Sequence, residues 1–384
     1  MGFVYTAIQL CYWSGGCIAL GFATAILQQL GYDNGAVGLI TSFSSVLGFA
    51  LTLAVSRQID RRGGSSAVNW MAVLAVVQAG LLAPILLGIF PALCYTVYMG
   101  LTLSMSSVVS KLYMDLTHAG IRVRFSLARG IGSAGYAVTS LCAGRLMDRL
   151  HGTGLLLLGS GLFLISALLA LGLRSRLAME PPAPAPTQGG WKRGLLDAAP
   201  GFALLILGIS LVSAANKTVT VFLVNIVRSV QGDMAAFGML SGYLAVLEVP
   251  VILLFPRLRR KFSLPALLLC SMLFYTLKIA GFAMADSVTA LLAASSLHIF
   301  STGIFQPASV EYVRETIPHR YTATAQGLMT GLPMLVSFAA TSLFGILLDR
   351  GSVRSNLIIL ALLALCGTLL CRTAMNQKGG NQNG

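Results

Sequence analysis

Apolar residues in this chain come in long runs separated by short polar stretches. Twelve predominantly apolar runs recur from end to end, at roughly 5–29, 36–56, 67–89, 92–113, 128–150, 153–173, 200–225, 235–256, 264–284, 288–312, 323–347 and 355–373. About 20 such residues are what an α-helix needs to cross a hydrocarbon core about 30 Å thick. The pattern therefore predicts an all-α integral membrane protein with twelve transmembrane helices. The first run is too long for the apolar core of a signal peptide and no basic segment precedes it, so it reads as a retained helix.

The longest polar interruption is RSRLAMEPPAPAPTQGGWKRG, Arg174 to Gly194, with four prolines within six residues. Proline removes backbone donors and favours extended, solvated chain. This divides the sequence into a six-helix bundle over 1–173, a cytoplasmic linker over 174–199, and a second six-helix bundle over 200–384 that ends in a short polar tail. The halves also share sequence: AVTSLCAGRLMDR (Ala137 to Arg149) recurs as AATSLFGILLDR (Ala339 to Arg350), with Asp148 and Asp349 201 positions apart. Two parallel six-helix repeats with a solute held between them near mid-bilayer are one established way of building a transporter.

Composition agrees. Of 384 residues, 56% are hydrophobic and 10% charged, against about 25% charged in soluble domains. The net charge of +14 follows from topology. With the first loop outside, one face collects Arg57, Arg61, Arg62, Lys111, Arg122, Arg124, Arg174, Arg176, Lys192, Arg193, Arg257, Arg259, Arg260, Lys261, Arg314, Arg320, Arg372 and Lys378. The other face has only Arg145, Arg149, Arg228, Arg350 and Arg354. The positive-inside rule then puts both termini in the cytoplasm, and no nucleic-acid partner is needed. The seven cysteines lack metal-ligand spacing and read as small hydrophobes. Gly130, Gly132 and Gly135 spell the dinucleotide fingerprint, but the acidic residue expected about 20 positions on does not fit, since Asp148 is 13 past Gly135 and heads a turn. Inside a span, with Ser133, Ala134, Ala137, Ser140, Ala143 and Gly144 nearby, they predict close helix packing. No cofactor or metal site is expected, and no catalytic set argues for an enzyme.

Charge inside a span is costly and marks a pathway or an ion pair. Arg129, Lys217, Glu248 and Lys278 lie there, with His298 the sole intramembrane histidine. Glu248 is the one deep acid and the first candidate for proton coupling, since a carboxyl changes protonation with its surroundings; a structural pair with Lys217 or Lys278 is the alternative. His298 could relay a proton or serve packing. Asp115 could pair with Lys111, four residues before it, or with Arg129 as a switch. Glu311 and Arg314 read as a surface pair. Tyr12, Trp13, Asn216 and Asn225 are candidates to face a cavity.

These features resemble the major facilitator superfamily. The loop SRQIDRRGG matches its cytoplasmic signature at Asp60, Arg61 and Gly63, with Ser56 where the leading glycine stands. The resemblance implies a conformational latch at Asp60, Arg61 and Arg62. Within the superfamily the chain resembles the lactose permease and the oligosaccharide–proton symporter branch. By that likeness Arg129 bonds sugar hydroxyls and Tyr136 stacks on a sugar ring. Lys278 and His298 take the places of a helix 9 arginine and a helix 10 histidine. The branch's helix 10 carboxylate is absent, Ser301 standing there, and its helix 7 acids are Lys217 and Thr220. The resemblance implies a monomeric, proton-coupled symporter of the inner membrane moving a small sugar-like solute, with Arg129, Tyr136, Asn216, Lys217, Lys278 and His298 at the substrate and Glu248, His298 and Asp115 in coupling. The alternatives are an organic-anion carrier or drug exporter, and a non-transporting receptor or assembly factor on the same fold.

Overall fold

A computed structural model describes residues 2–177, 201–316 and 322–380. The side chains of Asp60, Glu248 and some other positions in these ranges lie outside the described residues. Among the described residues all regular secondary structure is helical. The helices are α1 (Gly2–Gly16), a π-helical turn (Cys17–Gly21), α2 (Ala23–Gln29), α3 (Asn34–Arg62), α4 (Ser66–Leu86), α5 (Pro91–His118), α6 (Phe125–Leu171), α7 (Arg174–Leu177) and α8 (Phe202–Val221). They continue as α9 (Leu223–Ser229), α10 (Met234–Lys261), α11 (Leu264–Met284), α12 (Val288–Ser295), α13 (His298–Thr316), α14 (Thr322–Arg350) and α15 (Val353–Gly380).

Ten helical stretches among the described residues are long and apolar enough to cross a bilayer, and Met234–Leu247 is a shorter apolar one. The chain is an all-α integral membrane protein. Two features separate this count from the twelve runs in the sequence: α6 holds two of them, and the run expected at 235–256 is represented by the shorter Met234–Leu247 stretch. The 47 residues of α6 would extend about 70 Å at 1.5 Å per residue, more than twice the hydrocarbon thickness. At His151 the backbone leaves helical geometry (φ 54°, ψ 172°), joining two helices, and the gap expected between 150 and 153 falls on this residue. The run expected at 288–312 counts as one span, although a break at Ser296 and Leu297 divides it into α12 and α13.

Contacts divide the chain into two compact units. The first comprises Met1–Pro186 with Met234–Val246, the second Thr187–Asp233 with Leu247–Gly384. In the first, α1 lies along α6, α3 along α5, and α4 against both α5 and α6. A Cβ on Gly132 would stand 2.7 Å from Trp13 Cδ1, and one on Gly135 would stand 3.0 Å from Ser14 Oγ. Two of the three fingerprint glycines thus admit α1. Gly130 differs from the expectation, because a Cβ there meets nothing within 4 Å. Further along α6, the Cα of Gly238 would lie 3.0 Å from a Cβ on Gly144, and Ser140 Oγ donates to the Gly238 carbonyl at 2.9 Å. Small residues let the backbones meet where no hydrophobic drive separates protein from lipid.

In the second unit α8 packs on α14 and α15, and α11 on α13 and α15. Gly208 and Gly367 make the α8–α15 crossing: a Cβ on Gly208 would lie 2.5 Å from the Gly367 carbonyl oxygen. Cys371 Sγ donates to the Leu205 carbonyl at 3.3 Å. A core of Phe202, Ile206, Ile209, Leu268, Met272 and Tyr312 fills the space between these helices.

The interruptions recur along the chain. Phe22 (φ −95°, ψ 6°) separates the π turn from α2, and Phe222 (φ −98°, ψ 19°) separates α8 from α9. Both rings are fully buried. Gly31 (φ 90°) and Gln231 (φ 61°) then turn the chain into α3 and α10.

Candidate functional site

In the first unit the structure places Arg129 one turn into α6, its guanidinium carbon 3.7 Å from the centroid of the Trp13 ring. Its Nη1 donates to Ser133 Oγ at 2.9 Å, one turn on. The indole Nε1 donates to Gln9 Oε1 at 2.8 Å, Gln9 Nε2 donates to the Tyr5 hydroxyl at 2.7 Å, and that hydroxyl donates to the Val109 carbonyl at 3.3 Å. Tyr12 meets the same indole edge-on, with centroids 5.3 Å apart. Tyr136, two turns after Arg129, leans on the π turn of the first helix: a Cβ on Gly21 would lie 2.6 Å from its hydroxyl oxygen.

Asp115 is 3% exposed. It pairs with Lys111, Nζ to Oδ1 at 2.6 Å. A second polar group lies deeper. Gln78 Nε2 donates to Thr102 Oγ1 at 2.7 Å, the Tyr12 hydroxyl donates to the Thr102 carbonyl at 3.2 Å, and the Tyr98 hydroxyl is 2.9 Å from Ser160 Oγ.

In the second unit three predicted residues from three helices come together. Lys278 of α11 donates from Nζ to Asn216 Oδ1 of α8 at 2.7 Å and lies 3.2 Å from His298 Nδ1, at the start of α13. An ammonium only donates, so Nδ1 accepts and the ring proton belongs on Nε2. Thr302 Oγ1 is 3.2 Å from the same nitrogen and receives the Tyr275 hydroxyl at 2.9 Å. The Lys278 ammonium also sits 5.1 Å from the Tyr275 ring centroid. Lys278 and His298 are 3% and 7% exposed. Lys217, beside Asn216, is partly buried. Ser301 donates to the His298 carbonyl at 3.2 Å and is buried.

Neither the Glu248 nor the Asp60 side chain belongs to the described residues. Arg61 and Arg62 are exposed in the last turn of α3. Arg314 is likewise outside them, and Glu311 meets Arg259, whose Nε is 3.5 Å from its carboxylate and whose Nη2 is 3.0 Å from that of Glu315. Gln9 and Ser133 were missed from the sequence, as was the role of Trp13 as partner of Arg129. The available signal was a buried-type glutamine four residues before a tryptophan, the helical spacing at which the two side chains touch.

The family model described as MFS_1 like family matches residues 3–334. A protein of Deinococcus radiodurans that carries the provisional name sugar efflux transporter is 26% identical over 329 residues, covering 80% of this chain and 82% of its own. Among solved structures, a mutant of the nucleoside transporter NupG is similar with a TM-score of 0.80 at 17% identity, over 97% of this chain and 98% of its own. A POT family transporter in complex with a thioalcohol-conjugated peptide is similar with a TM-score of 0.75 at 14% identity, over 98% and 95% of the two chains. Identities this low convey the fold alone.

Proposed function

The chain belongs to the MFS_1 like family, and on that premise we propose that it moves a small, sugar-like polar solute across the membrane by alternating access, coupled to protons. It is a multi-pass membrane transport protein and not an enzyme. The finer architecture is two parallel repeats of six helices, 1–173 and 200–384, joined by the 174–199 linker. Counting α6 as two helices and α10 as a further span favours that division, as do the interruptions at Phe22 and Phe222. Both termini face the cytoplasm, in a monomer in the inner membrane.

The observation that carries the reading is the Asn216–Lys278–His298 network. A helix bundle gains nothing from an ammonium placed in the hydrocarbon layer, so such a group marks a solute or ion path. Arg129, Tyr136, Asn216, Lys217, Lys278 and His298 bind the solute. Glu248 carries the coupling proton, with His298 and Asp115 assisting, and Asp60, Arg61 and Arg62 latch one conformation. The name of the Deinococcus radiodurans relative supports a sugar.

A second reading, an organic-anion carrier, is favoured by the charges within the predicted spans, Arg129, Lys217 and Lys278 against Glu248. A thermal-shift screen of the purified protein against sugars, nucleosides and organic acids separates the two. A ligand at 100 times its Kd stabilises by about 2.7 kcal/mol. A rise in Tm with sugars is expected; a rise with organic acids alone would transfer the conclusion to the anion carrier, and no rise with sugars removes the sugar reading.

A further inference from the structure

We propose that Trp13 is the ring-binding platform of the first unit, positioned by Gly132 and Gln9 and covered by Arg129 until a pyranose displaces the guanidinium. The proposal rests on the sugar reading above and assigns the stacking surface to α1.

Three constraints fix the indole. Gly132 leaves the space into which the ring edge fits, since a Cβ would stand 2.7 Å from Cδ1. Gln9, 2% exposed, accepts from the indole N–H, and its own amide is held through Tyr5 to the backbone of α5. These bonds are directional, so they set the rotation of the ring as well as its position. The edge-on contact with Tyr12 supports it from its own helix.

Trp13 and Arg129 remain partly exposed, whereas Tyr5, Gln9 and Tyr12 are buried. A guanidinium within a span does not turn to lipid; it faces protein or a water-filled route. The Arg129 guanidinium carbon sits 3.7 Å over the indole centroid, and a cation–ring contact contributes about 0.5–2 kcal/mol, within what a stacked solute can replace. A pyranose suits both groups. Its C–H face packs on an aromatic ring, and a pair of neighbouring hydroxyls matches the planar fork of arginine. Displaced from the ring, the guanidinium is already beside the hydroxyl edge of a stacked sugar. Tyr136, with its hydroxyl against Gly21 at the π turn, remains a solute contact beside this platform.

Trp13, Trp70 and Trp191 are the three tryptophans of the chain, so a Trp70→Phe/Trp191→Phe protein reports on Trp13 alone. Methyl β-D-glucopyranoside is titrated in, with mannitol as a polyol lacking the ring, while indole emission and Tm are followed. The expected result is an emission change that saturates with the rise in Tm for the pyranoside and is absent for mannitol. Trp13→Leu and Gly132→Ala are expected to weaken pyranoside binding tenfold or more, Trp13→Phe to weaken it less, and Gly130→Ala to leave it unchanged. Stabilisation by the pyranoside without an emission change, or with wild-type affinity in Trp13→Leu, overturns the platform and leaves the transport reading standing. If the pyranoside does not stabilise even the wild type, the sugar reading and the platform fall together.

Discussion

Lys278 shows how one side chain can organise a polar site in an apolar layer. Its ammonium is 3% exposed and is held by Asn216 and His298, which belong to different helices. Removing one partner of a buried polar pair costs the desolvation of the other, about 1–3 kcal/mol and more for a charge. Asn216→Leu is therefore expected to lower Tm by several degrees in detergent. Asn216→Asp, which supplies a charged acceptor in nearly the same shape, is expected to hold or raise it. Equal Tm values for the two would mean that Lys278 does not depend on this bond. Lys278 and His298 could be picked out in the sequence because ionisable residues are rare within spans. The Gln9–Trp13–Arg129 chain was harder to read: the four-residue spacing offers the Gln9–Trp13 pair, but which face of α1 meets Arg129 depends on the rotation of the helix about its axis.

At the scale of helices, glycine spacing decides which pairs approach closely. A Cβ on Gly208 would lie 2.5 Å from the Gly367 carbonyl oxygen, whereas one on Gly130 meets nothing. Gly208→Ala is expected to separate α8 from α15, with a lower Tm and reduced yield of folded protein. Gly130→Ala is expected to be neutral or to stabilise by up to about 1 kcal/mol, the helix propensity difference. Size-exclusion profiles and Tm of the two variants check the contrast, and identical behaviour would contradict it. Helix positions were legible in the runs of apolar residues, and the boundary expected near 150–153 coincides with His151. The break between α12 and α13 was not. No proline or glycine stands at Ser295, Ser296 and Leu297, and Ser296 instead bonds back from Oγ to the Leu292 carbonyl at 3.3 Å. Such local side-chain bonding competes with the helix ladder and leaves no signature in hydropathy.

For the whole molecule, the distribution of basic residues sets the expected orientation. The faces differ by 18 lysines and arginines against five, and the positive-inside rule reads that excess as cytoplasmic. A reporter fused after Met375 is expected to register in the cytoplasm, as is one inserted in the 178–200 segment; an external signal from either would reverse the topology. Alternating access coupled to a proton needs a group whose protonation differs between the two orientations, and Glu248 is the acid proposed for that part. The Gln form imitates a permanently protonated carboxyl, which exchanges solute without releasing a proton. The most direct measurement is solute accumulation in liposomes carrying the purified protein under an imposed pH gradient, using the sugar that stabilises it, for the wild type and Glu248→Gln side by side. The account predicts accumulation by the wild type, with exchange but no accumulation by Glu248→Gln. A wild type indifferent to the gradient, or a variant that accumulates solute equally well, would contradict it.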